Sequence, residues 1–178
     1  MPRFAHRIIP GETRACFFKT VFGVWFLVWI FAALHDQYLI RIHPEHFTVW
    51  HYRIPWTEDL TLLGIAYAFG ASISPGLILG TSLYIAGRLF DRPKLRIRTI
   101  LLGVLLVFLA VEFCALLTGW IAWRVGREIF PEWLYPDNTP GILITQSIQI
   151  AAYLSGAAFS LLLILSLWLY RGRLRDNA

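Results

Sequence analysis

The sequence predicts an all-α membrane protein of four transmembrane helices, both ends cytoplasmic, with a short outer β-hairpin between the first two helices. Three observations predict it. Of the 178 residues, 57% are hydrophobic and 15% charged, against about 45–50% and about 25% in soluble domains. The apolar residues gather in four blocks, 17–34, 60–87, 99–123 and 141–170, each near or above the roughly 20 residues that cross a bilayer core as helix. No segment between the blocks reaches the roughly 40 residues that an unaided soluble domain needs. A soluble enzyme, a nucleic-acid-binding domain and a tethered globular domain are excluded on this reading. Residues 1–178 form one integral membrane domain, with an outer-face loop over 35–59.

The first block, 17–34, follows Arg3, Arg7 and Arg14 and carries Lys19 at its start, as a signal peptide would. Its core is longer than the usual h-region of about 7–15 residues, and Phe31-Ala32-Ala33 is a poor cleavage site. We read it as an uncleaved anchor. The second block opens at Thr57, an N-cap followed by Glu58 and Asp59 where the helix dipole favours negative charge. It closes at Asp91-Arg92-Pro93, since proline restricts the residue before it. Within it, Ala66, Gly70 and Ser74 repeat every four residues, Gly76 and Gly80 form a GxxxG pair, and Pro75 interrupts the backbone ladder. The fourth block starts at Thr139-Pro140, proline taking the first helical position, and Gly172 suits its end.

Charge orients the blocks. The two tails and the 88–98 loop hold twelve of the sixteen basic residues against three acids (Glu12, Asp91, Asp176). The other two loops hold four basic residues and seven acids. Lys and Arg are retained on the cytoplasmic side, which places both tails and the 88–98 loop inside. Cys16 and Cys114 lie at depths about 22 Å apart by helical rise, too far for a disulfide.

Glu112 is the one ionisable residue well inside a block, where a charge costs at least about 2.5–3.5 kcal/mol and so faces protein or water. Depth matching places Ser72, Ser74, Gln149 and Tyr153 near it, and we expect one of these to hydrogen-bond the carboxyl. Gln146, Gln149, Tyr153, Gly156 and Ser160 make a polar or small stripe at helical spacing.

In the outer loop, Gln37–Ile42 and Phe47–Tyr52 flank His43-Pro44-Glu45-His46 and read as two strands, with one helical turn admitted at the Pro44–Phe47 corner. His35, Asp36, His43, His46 and His51 are the candidate metal ligands, although their spacing fits no established zinc or copper pattern. No cofactor is expected.

His35-Asp36-Gln37, then Pro44-Glu45-His46-Phe47-Thr48 and His51, resemble a group of uncharacterised bacterial four-helix integral membrane proteins with an HDQ-like triplet and a Pro-Glu-Tyr-Phe-Thr-like motif after the first helix. The close match covers about 20 residues. This chain departs from that pattern at His46, at Ala71–Pro75 and at Gln149. The resemblance implies the four-helix architecture and a bacterial inner membrane, and it carries no activity. The first functional expectation is a non-catalytic packing or accessory subunit whose outer hairpin recognises a partner. The partners would be the lipid bilayer and either a second copy or a larger membrane protein, with no nucleic acid. Two alternatives stay open: a small transporter or channel using Glu112 and the Pro75 interruption, and a metal or redox accessory protein using the loop histidines.

Overall fold

Thr13 begins the first helix by accepting the Cys16 amide on its hydroxyl at 3.2 Å, and α1 then runs over Arg14–Ile42. The computed structural model describes residues 13–90 and 92–176; Arg3, Arg7, Glu12 and Asp91 of the charge pattern lie outside the described residues. After α1 come α2 (Glu45–Thr48), α3 (Leu60–Arg88), α4 (Ile97–Val125), a 3₁₀ turn at Glu132–Leu134 and α5 (Pro140–Asp176). Four of these are long and apolar enough to cross a membrane: Arg14–Ile42, Leu60–Arg88, Ile97–Val125 and Pro140–Leu174.

The expected β-hairpin is absent, and no described residue is in a strand. Its first half, Gln37–Ile42, continues α1 for two more turns. The residues that decide this are Leu39 and Ile40, adjacent and both fully buried, which an alternating strand cannot achieve. Two side-chain ties fasten the extension to the first turn of α3. Arg41 Nη2 donates to Thr61 Oγ1 at 2.9 Å, and Gln37 Nε2 donates to the Thr61 carbonyl at 3.0 Å. Pro44 holds His43 in extended backbone (φ −150°), which ends α1 there. The helical turn at the proline corner is present as α2, with Phe47 buried beneath it.

The helix ends correct two further expectations, the cap at Thr57 and the end at Gly172. Asp59, and not Thr57, caps α3 by accepting the Leu62 amide at 2.9 Å, while Thr57 Oγ1 accepts the Asp59 amide one step earlier. α3 ends at Arg88, before the proline. α5 begins at Pro140 as expected but runs through Gly172 to Asp176. Gly126, in the left-handed region at φ +68°, closes α4.

α1 packs mainly along α3, and α4 along α5. The first pair approaches closely because α3 presents Gly76 and Gly80. A Cβ on Gly80 would stand 2.8 Å from the Val21 carbonyl oxygen, and one on Gly76 would stand 2.9 Å from the Trp25 Cα. The small-residue expectation holds at that pair and fails at Ser74, which is exposed. In the second pair Gly119 does the same against Ile148.

The two ends of the bundle are built differently. At one end Val24, Leu83, Ile100, Val104 and Leu167 form an apolar core, closed by Arg171. That side chain is fully buried (0% exposed) and donates to the carbonyls of Ala86, Pro93 and Leu89 at 2.7 Å each, and of Arg92 at 3.2 Å. The Arg92 guanidinium lies 4.0 Å over the Trp168 ring. We term this the arginine end. At the other end Leu39, Ile40, Phe47, Leu63, Ala115 and Ile148 form the core, with histidines around it. This is the histidine end.

Candidate functional site

Extending α1 carries His35 into the bundle, against α4. His35 Nδ1 lies 2.9 Å from Glu112 Oε2, and the Tyr38 hydroxyl, one turn further along α1, lies 2.9 Å from the same nitrogen. A carboxylate accepts, so Nδ1–H donates to Glu112; the Tyr38 hydroxyl also hydrogen-bonds that carboxylate. The neutral ring then keeps its lone pair on Nε2, which is buried and has no partner. His35 is 6% exposed and Glu112 27%. Phe31 stacks on Phe108 at 4.6 Å between centroids, one turn from the pair, and sets the distance between α1 and α4.

Glu112 therefore meets none of the partners expected from depth. Ser72 donates to the Phe69 carbonyl at 2.9 Å, Ser74 faces outward, and Gln149 and Tyr153 join a second polar group. The premise that Glu112 stands alone fails for the same reason: His35, assigned to a loop, is on the helix beside it.

The second group starts at His46 on α2, which is 2% exposed. Its Nδ1 meets Thr145 Oγ1 at 2.9 Å, its Nε2 meets Gln149 Oε1 at 2.6 Å, and Gln149 Nε2 donates to the Tyr153 hydroxyl at 2.9 Å. Nε2–H donates to Gln149, and Nδ1 of the neutral imidazole faces the Thr145 hydroxyl, whose proton is shared with the Gly141 carbonyl at 3.0 Å. Burial favours that form and pushes the His46 pKa down to about 4. His51 donates Nδ1–H to the His46 carbonyl at 2.8 Å and stacks on Phe47 at 5.1 Å, and Tyr67 donates to the Tyr52 carbonyl at 2.7 Å. These bonds fold the α2–α3 connection over the end of the bundle.

Both groups border a cavity of about 910 Å³ lined by all four long helices, at the upper end of the roughly 300–1,000 Å³ that ligand pockets span. His35, Asp36, His51, Tyr67, Gln149 and Tyr153 contribute to its wall at the histidine end. Ile78, Leu79, Leu161 and Ile164 line the part nearer the arginine end. Between them come Ser72, Ala71 and Pro75. Proline has no N–H, so the Ala71 carbonyl lacks its helical donor at the cavity wall.

The five candidate metal ligands are dispersed. His35 pairs with Glu112, His46 with Thr145 and Gln149, and His51 with a backbone carbonyl. His43 packs on Gly141 and lies 3.8 Å from Glu45. Among the described residues no three His, Cys, Asp or Glu side chains converge as ligands. Two side chains of this group escaped the sequence reading: Tyr38, and His35 as partner to Glu112. The signal that would have found them is the His35, Tyr38, Leu39 spacing, which repeats as one face of a helix. No family model, curated protein or solved structure matches this chain.

Proposed function

We propose that this chain is a small multi-pass transporter of a bacterial inner membrane, with both termini cytoplasmic, that exchanges a proton at His35–Glu112 during its cycle. The orientation rests on the basic residues gathered at the two tails and the 88–98 loop, and the location on the resemblance described above. The observation that carries the transport reading is His35, held by Glu112 at 2.9 Å, in the wall of a cavity lined by all four long helices. A lone carboxyl makes a poor relay. A carboxylate that orients an imidazole, with the second nitrogen unpartnered, is an arrangement suited to passing a proton. Pro75 supports the reading by leaving a backbone carbonyl at the cavity wall, as irregular helices do around transported solutes. The accessory-subunit alternative loses its recognition hairpin and retains the short loops and the small-residue packing faces.

The test is proton flux in proteoliposomes loaded with a pH-sensitive dye, driven by an inside-negative potassium diffusion potential. Wild-type vesicles should acidify faster than protein-free ones, and Glu112→Gln should lose roughly 10–100-fold of that excess, the range for removing a group that orients a functional histidine. Wild-type flux equal to that of empty vesicles overturns transport in favour of an interaction subunit.

A further inference from the structure

The cavity gathers most of its polar side chains at one end, it is long, and it has an open side. Along α3 the lining runs from Tyr67 to Ser82 and along α5 from Gln149 to Ile164, fifteen residues in each case and so about 22 Å at helical rise. Polar groups gather over the first two turns at the histidine end, and beyond Pro75 the wall is mainly apolar, with Ser82 and Ser160 its polar side chains. The open side lies between α3 and α5. Ile78 and Leu161 line the cavity yet are each 67% exposed, and Tyr153 is 62% exposed. In a bilayer that gap faces acyl chains, so entry is sideways from the lipid.

The polar end specifies a headgroup. His35 Nε2 is an acceptor with nothing to accept from. His51 spends Nδ1–H on a carbonyl, which leaves its Nε2 as a second acceptor, and the Asp36 carboxyl stands in the same wall. Against these stand two tyrosine hydroxyls: Tyr153, which accepts from Gln149 and keeps its own proton to give, and Tyr52 in the same wall. A group that donates and also accepts matches this set, whereas a carboxylate or phosphate would meet mainly acceptors.

Resting on the transport reading for its purpose, though not for its geometry, we infer that the cavity takes a single-chain amphiphile with a hydroxyl headgroup. The molecule enters between α3 and α5, places its hydroxyl among His35, His51 and Tyr153, and lays its chain along Ile78, Leu161 and Ile164. No bond is made or broken.

The probe is 1-hexadecanol carrying a mid-chain diazirine, photolysed with the full-length protein in lipid nanodiscs, with labelled residues read by mass spectrometry. Labelling should concentrate on the cavity faces of α3 and α5. Unlabelled 1-hexadecanol should compete at least about tenfold better than hexadecane at equal membrane fraction, since tenfold corresponds to ~1.4 kcal/mol, about one net hydrogen bond. Gly156→Leu supplies a plug that folds: Gly156 is in the wall, and an added Cβ meets nothing within 4 Å. It should abolish the concentrated labelling, and His35→Phe should reduce it about tenfold. Labelling spread evenly over the lipid-facing helices, or hexadecane competing equally, overturns the inference. Specific labelling without proton flux sustains it and sinks the transport reading; flux without specific labelling does the reverse.

Discussion

The two ends of the bundle both bury polar side chains, and they differ in how completely those side chains are satisfied. At the arginine end Arg171 spends its guanidinium on four carbonyls, and Arg92 caps the assembly by lying over Trp168. At the histidine end both His46 nitrogens have partners, whereas His35 has a partner on one nitrogen and buries the other without one beside the cavity. A buried polar group costs free energy until it is hydrogen-bonded. The complete network therefore fixes structure, and the incomplete one marks where a ligand or proton makes a difference.

The largest effect should come from the arginine end. Arg171→Met keeps the volume and strips the donor set, leaving the carbonyls of Ala86, Leu89, Arg92 and Pro93 unpaired in the interior. A loss of roughly 3–5 kcal/mol is expected, read as reversible unfolding in mixed micelles. A loss under about 1 kcal/mol, the scale of an ordinary exposed contact, would erase the distinction between the ends.

The second effect is a pH dependence at the histidine end. An unfolded histidine takes its proton near pH 6.5, and His46 in the fold takes it near 4. Between these values the unfolded state binds more protons, so stability is full above about 6.5 and falls as pH drops toward 4. The shift corresponds to at most about 3 kcal/mol. Unfolding should become easier across that window in wild type, and His46→Gln should flatten the slope. An unchanged slope in the variant would assign the effect elsewhere.

The smallest effect sharpens the contrast in packing. Gly156→Ala adds a methyl group facing open space and removes a glycine from a helix interior, so stability should rise by roughly 0.5–1 kcal/mol. A measured loss would mean that the cavity is narrower than the structure shows.

What the sequence disclosed and what it hid follow from one physical distinction. Hydropathy marks how far a helix is greasy, and Pro140, Gly76 and Gly80 mark where it starts or is approached closely. All of these were readable from residue types. Hydropathy does not mark where a helix stops once its residues turn polar. His35 to Ile42 looked like loop and strand because Tyr38, Ile40 and Ile42 alternate, although the buried Leu39–Ile40 step does not fit a strand with one face exposed. That single misreading displaced His35, and with it the partner of Glu112. The histidines, Gln149 and Tyr153 were visible as residue types. Their sorting into two separate networks depends on which helix faces which, and short apolar runs carry no such information.

α1, α3 and α4 are each 29 residues long, about 43 Å at helical rise, while the hydrocarbon layer measures about 30 Å. Some 13 Å of every rod must therefore project among the headgroups or be absorbed by leaning. His35 sits only seven positions before the end of α1, so a thicker membrane would submerge it and a thinner one would lift it toward water. Lipid chain length is thus a dial on the hydration of that imidazole.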